Sequence, residues 1–163
     1  MSGSETPPGK PVGKVLVIGV DGLEWKVIRP LLAAGKCPNL RGLMERGAFG
    51  QLATISPTLS PIIWTTIATG RMPKAHGIHD FLDENRKEYT SSRRGVPAVW
   101  NIADRYGISS DVIGWWITWP VEHINGVMVS GTSSGALASV NWKPSLLPGA
   151  PDQGQMPFMQ ITH

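Results

Sequence analysis

Near the start of the chain, Lys14-Val15-Leu16-Val17-Ile18-Gly19-Val20 forms an almost unbroken apolar run that ends in Asp21-Gly22. A run this short, rich in β-branched side chains, reads as a strand buried on both faces, the habit of parallel sheets. Parallel strands need crossover helices that cover the sheet, so the run directs the chain toward alternating α/β architecture. Asp21 then falls at the carboxyl end of a strand, where open α/β sheets bind their ligands. An Asp at that position serves equally well as a cap for the next helix, and the residues alone leave both roles open. Gly19-Val20-Asp21-Gly22 lacks the three-glycine spacing of a dinucleotide fingerprint.

The rest of the pattern alternates in the same way. Helical periodicity covers Glu24 to Ala34, with Trp25, Ile28, Leu31 and Leu32 on one side and Pro30 expected to split it into two pieces. A second helix is expected over Pro38 to Arg46 with Leu40, Leu43 and Met44 inward, then a strand over Ala48 to Thr54. Asp83 to Arg94 reads as an exposed loop, and Val96 to Tyr106 as a helix burying Val99, Trp100, Ile102 and Ala103. Another buried strand follows over Asp111 to Trp116, and an Asn125-Gly126 turn leads into a further apolar run.

With 163 residues, 41% hydrophobic and 17% charged, the chain suffices for one globular domain with a real core. Three segments are expected: a flexible leader over 1–13, an α/β domain over 14–142, and an irregular Pro- and Gly-rich tail over 143–163, read as a truncation point. A net charge of +3, spread along the chain, makes no case for nucleic-acid binding, and Lys10, Lys14, Arg93 and Arg94 read as solvated surface charges. Cys37 is the single cysteine, so no intrachain disulfide forms. No run reaches transmembrane length, and Met1 to Gly13 lacks the apolar core of a secretory signal, which tips the expected localisation toward the cytoplasm.

Chemistry concentrates in Ser56-Pro57-Thr58-Leu59-Ser60-Pro61-Ile62-Ile63-Trp64-Thr65-Thr66-Ile67-Ala68-Thr69-Gly70. The spacing predicts a helix with Ser60 at its N-cap, Pro61 at its first position and Gly70 as its stop. A hydroxyl there meets backbone N–H groups and the positive end of the helix dipole, a combination suited to anions and to attack on phosphorus. The plain alternative is that Ser60 only caps the helix. In the following loop His76, His79 and Asp80 lie close in sequence, but their spacing has no regular element to support a metal site. Most of the seven tryptophans read as packing, with Trp115, Trp116 and Trp119 as candidates to wall a pocket.

Taken in order, the Val-Asp-Gly strand end, Cys37-Pro38-Asn39-Leu40-Arg41-Gly42-Leu43, Pro57 to Ser60, Trp64 to Gly70, Pro73-Lys74-Ala75-His76-Gly77-Ile78, Pro120, and Ile124-Asn125-Gly126 through Ser130-Gly131 resemble the alkaline phosphatase superfamily. The nearest branch is the type I phosphodiesterase/nucleotide pyrophosphatase group, and the resemblance runs from about Lys14 to Gly131. It implies an incomplete alkaline-phosphatase-like three-layer α/β sandwich with a mainly parallel sheet. It further implies Asp21 as a metal ligand, Ser60 as both metal ligand and nucleophile, and two divalent ions, zinc in most of the family. The reaction implied is hydrolysis of phosphate mono- or diesters through a seryl-phosphate intermediate. Thr58 is the fallback nucleophile, with an offset from Trp64 and Gly70 that fits less well.

Two departures accompany the resemblance. Diesterase members often place an Asn shortly after the nucleophile, where this chain has Ile62-Ile63. The family also draws most of its metal ligands from further downstream, and zinc takes four. The expected partner is thus a small phosphate ester, with this chain as the N-terminal part of the enzyme and inactive alone. The alternative is a non-catalytic α/β module that binds phosphate-like anions or a partner. Sulfatase chemistry is disfavoured because no Cys-x-Pro-x-Arg pattern surrounds Ser60.

Overall fold

The computed structural model describes residues 13–131 and the strand residues Val140–Asn141. Residues 1–12 of the expected leader and all of the expected tail over 143–163 lie outside the described residues. The described residues fall into two compact units, one over 13–54 and one from residue 55 onward.

The first unit is a helical hairpin of α1 (Trp25–Ala33) and α2 (Pro38–Arg46). Gly35, at φ +70°, reverses the chain after α1, and the N–H groups of Ala34 and Lys36 return to the carbonyls of Pro30 and Leu31 at 2.9 Å each. Pro30 does not split α1. It sits on the exposed side and forgoes only the bond its own nitrogen would have donated one turn back. Ile28 is the buried residue of α1, and the Trp25 ring packs against Phe49 with centroids 6.2 Å apart. Leu43, expected inward, is exposed, whereas Leu40 and Met44 are half-buried.

Neither of the two strands expected in this unit forms. Among the described residues Lys14 to Val20 and Ala48 to Thr54 pair with no other strand, and Val15 is 91% exposed. A strand buried on both faces needs a neighbour to satisfy its backbone and a layer on each side. Within residues 13–54 two short helices supply neither. Asp21 consequently lies in a turn that follows an unpaired segment, not at the end of a hydrogen-bonded strand.

The second unit contains α3 (Ser60–Thr69), α4 (Pro73–His76), a 3-10 turn at Ser91–Arg93, α5 (Val99–Arg105), β1 (Val112–Trp115), β2 (Met128–Ser130) and β3 (Val140–Asn141). Strands β1 and β2 run parallel, with Val112 beside Met128 and Ile113 beside Val129; β3 joins antiparallel on the far side of β2. The expected α/β class therefore holds here, with a parallel pair extended by one antiparallel strand. Apolar side chains from every layer meet in one core of Ala68 on α3, Ala98 and Trp100 at α5, Val112, Ile124 and Met128, with Trp115 and Val121 packed against it. Helix α5 is shorter than expected and presents Trp100 to this core, leaving Val99 and Ile102 exposed.

Two glycines allow the parallel pair to close. A Cβ on Gly126 would overlap the Ser110 carbonyl, and one on Gly131 would lie 2.7 Å from the carbonyls of Gly114 and Trp115.

A polar network ties α5 to the segment before β2. Arg94, read from sequence as a solvated charge, is buried: its guanidinium lies 2.6 Å from Glu122 Oε1 with only 4% of its side chain exposed. The same group donates to Asn101 Oδ1 at 2.8 Å and to the Val96 carbonyl at 3.1 Å, and it lies over the Trp100 ring. Glu122 also accepts from the Trp100 indole at 2.9 Å and from Asn101 Nδ2 at 3.1 Å. Asn101 Oδ1 in turn takes the Ala98 N–H at 2.8 Å, capping α5. Arg93, by contrast, is a surface cation, as expected.

Breaking this network from one side strands a buried charge. Glu122→Ala is expected to lower unfolding stability by about 3 kcal/mol, read as a reduced urea midpoint at unchanged slope. The opposite sign is expected at Thr65, whose buried hydroxyl finds no hydrogen-bond partner among the described residues. Thr65→Val removes that group at nearly constant shape and should raise stability by about 1 kcal/mol in the same assay.

Candidate functional site

Helix α3 begins one residue earlier than its sequence suggests. Leu59 is the N-cap and Ser60 the first helical residue, followed by Pro61, with Gly70 closing the helix in the left-handed conformation at φ +62°. The Ile63 N–H returns to the Leu59 carbonyl at 3.0 Å, so the first turn is fully formed. Ser60 is half-buried, while Pro61 and Ile62 directly behind it are buried. The hydroxyl is thus carried on a packed helical turn and not on a mobile loop. Thr58, the fallback nucleophile, is exposed in the preceding loop.

Two aromatic residues join this helix to the sheet. The Trp115 indole N–H donates to the Trp64 carbonyl at 3.1 Å, and the two rings meet edge to face with centroids 5.1 Å apart. Trp115 then meets Trp100 at 6.0 Å, which carries the contact into the core. Trp64 lies one turn after Ser60, about 6 Å along the axis. Because Trp115 ends β1, α3 is tied at Trp64 to the carboxyl end of the parallel pair, the end at which α/β sheets bind ligands.

The chain leaving β1 is fixed just as firmly. Ile117 is buried and takes φ +58°, an unusual state for a β-branched residue. The Thr118 hydroxyl donates to the Trp115 carbonyl at 2.6 Å and accepts the Gly131 N–H at 3.0 Å, linking the ends of β1 and β2. Ser91 binds the Trp119 carbonyl through its N–H at 2.8 Å and the Pro120 carbonyl through its hydroxyl at 2.6 Å. Of the three tryptophans expected to wall a pocket, Trp115 and Trp116 are packing residues, the latter against Phe81 at 5.7 Å. Trp119 is exposed.

His76, His79 and Asp80 do not assemble into a metal triplet. His76 is fully buried and both its ring nitrogens are engaged: Nδ1 accepts the Ile78 N–H at 3.1 Å, and Nε2 lies 3.0 Å from Thr66 Oγ1. His79 and Asp80 are exposed, and Asp80 Oδ1 takes the Phe81 N–H at 2.7 Å. Among the described residues no group of three or more His, Cys, Asp or Glu side chains is placed to hold a metal. Asp21 and Ser60 offer a carboxylate and a hydroxyl, hard oxygen donors of the right kind for a divalent ion, but two where zinc takes four. The donor types fit and their number does not.

Asp21 lies exposed in the first unit, beside Gly22 at φ +67°. That unit also has an open cleft lined by Leu32, Ala33, Arg41, Met44, Glu45 and Phe49. The Arg41 guanidinium there is engaged by the Leu32 carbonyl, so the cleft presents an apolar floor and no convergent set of catalytic groups. Sequence reasoning missed Glu122 and misjudged Arg94. The partners are 28 positions apart, and no local pattern announces such a pair.

Residues 15–151 match the family described as type I phosphodiesterase / nucleotide pyrophosphatase. Neither a search of curated proteins nor one of solved structures finds a match.

The Trp64–Trp115 junction is open to direct measurement. A double-mutant cycle with Trp64→Leu and Trp115→Leu should give a coupling free energy of about 1 kcal/mol in unfolding stability, beyond what either single change removes. Strictly additive effects would mean that the rings do not act on each other.

Proposed function

This chain belongs to the type I phosphodiesterase/nucleotide pyrophosphatase family, and from that premise we propose that it carries the nucleophilic half of a phosphoester hydrolase, with Ser60 as the attacking residue. The observation that supports the reading best is the seat of Ser60: the first turn of a ten-residue helix, anchored by Trp64 and Trp115 at the carboxyl end of a parallel strand pair. In this reading the Ser60 oxygen attacks phosphorus in line with the leaving alcohol, giving a seryl-phosphate ester that water later cleaves. The first-turn N–H groups of α3 and its dipole stabilise negative charge that develops on the phosphoryl oxygens. Pro61 costs nothing at this point, because N–H groups of a first turn have no partner within the helix.

The family is generally metal-dependent, and a bound divalent ion would supply a lowered hydroxyl pKa and charge neutralisation. Asp21 is proposed as one ligand and the Ser60 oxygen as another. These are two donors where zinc takes four. The three-layer sandwich of the superfamily is part of the same proposal, with the β1–β2 pair as a piece of its sheet.

An aryl phosphodiester and an aryl phosphomonoester are the substrates to compare, since Ile62-Ile63 stands where diesterases often carry an amide. In the full-length protein that carries this sequence, Ser60→Ala should lower kcat by about a thousandfold or more while leaving the far-UV and thermal signatures of folding in place. Asp21→Asn and treatment with a chelator should each abolish turnover. Undiminished turnover of the Ser60→Ala protein would eliminate Ser60 as the nucleophile.

A further inference from the structure

His76 joins three parts of the second unit. Its ring bonds Thr66 on α3 through Nε2 and the Ile78 N–H through Nδ1, while its carbonyl accepts the Gly95 N–H at 3.0 Å. Because Nδ1 accepts, it carries no proton. The imidazole is therefore neutral, with its hydrogen on Nε2 and directed at the Thr66 hydroxyl. Between the two ring bonds the chain turns through Gly77, at φ +78°, to place Ile78 in the interior with no exposed surface. Three residues further on, Phe81 rests on Trp116, the residue that follows β1.

We propose that His76 is an acid-sensitive latch: its protonation releases the 77–81 turn from helix α3 and from the carboxyl end of β1 while the strand core stays folded. The two ring bonds respond differently to a proton. An imidazolium still donates from Nε2 to Thr66, but its new Nδ1–H faces the Ile78 N–H, two donors with no acceptor between them. That one bond fails, and with it the tie that seats Ile78 and, through the following turn, Phe81 on Trp116. The latch acts independently of whether Ser60 performs hydrolysis.

The ionisable surroundings favour this direction. Helix α3 carries no ionisable side chain between Ser60 and Thr69. Lys74 on α4 is exposed, Arg93 is paired with Glu84, and Arg94 is paired with Glu122. Asp80 is exposed and engaged by the Phe81 N–H. Burial, and secondarily the charge of His79, hold the His76 imidazole below the ordinary histidine range. A released His76 takes up a proton near its ordinary value of about 6.5, whereas the latched one does so only at lower pH. The latched form is therefore whole above about pH 6.5, and falling pH favours release by about tenfold per pH unit down to the latched value.

Amide hydrogen exchange on the whole chain between pH 8 and pH 5 tests this, with each rate expressed relative to an unstructured chain at the same pH. Protection of the Ile78 amide should fall by about tenfold per pH unit below 6.5, while that of Val112, bonded to the Val127 carbonyl, does not change. His76→Asn keeps an acceptor for the Ile78 N–H without the charge and should abolish the response. Ring 15N shifts of the unaltered protein give a second readout that needs no variant, and should report an Nε2–H tautomer at pH 8. An Ile78 amide that stays protected to pH 5, loss of protection shared equally by Val112, or an acid response that persists in His76→Asn would each overturn the proposal. So would an Nδ1–H tautomer at pH 8.

Discussion

The second unit is organised around one contact, the indole N–H of Trp115 on the carbonyl of Trp64. It is a single neutral hydrogen bond, worth about 1 kcal/mol net, but two edge-to-face ring contacts run through the same residue and carry it into the core. A helix carbonyl in mid-helix normally serves its own helix. Here it also receives a donor from the last residue of β1, which ties α3 to the sheet. Ser60 lies on the same helix, one turn before Trp64.

Around this contact the molecule has made polar groups interior and satisfied almost all of them. The Arg94–Glu122 pair is buried at a desolvation cost that one Coulomb contact does not repay. The remaining valences are filled by Asn101, Trp100 and the Val96 carbonyl. The same logic governs Thr118 and Ser91, whose hydroxyls bind main-chain carbonyls around the exit from β1. These bonds support the unusual backbone of Ile117, a residue that would otherwise relax to negative φ. The exit from β1 is accordingly held by hydrogen bonds between segments far apart in sequence.

That distinction explains what was legible beforehand. Local signals worked where the cause is local: Pro38 and Gly47 bracket α2, Gly70 stops α3, and the Asn125-Gly126 turn precedes β2. They failed where the cause is a partner. The Lys14 to Val20 run has the composition of a buried strand, yet composition does not supply the neighbours that make a strand, and the segment is exposed. Leu43, Val99 and Ile102 satisfied helical periodicity without an apolar surface to face. Arg94 was invisible for the converse reason, since its burial depends on Glu122 and Trp100. Ser60, read from sequence as the cap of α3, is instead its first helical residue, because Leu59 takes the cap position.

The central claim is that the Ser60 hydroxyl becomes the phosphoryl acceptor. Acid-quenching the protein during turnover of an aryl phosphate ester, followed by peptide mapping, tests it without relying on a variant. The account predicts a phosphoryl adduct on the peptide that contains Ser60, localised to that oxygen and lost when turnover is allowed to finish. An adduct on Thr58 or any other side chain, or turnover at full rate with no covalent adduct at any quench time, would contradict it.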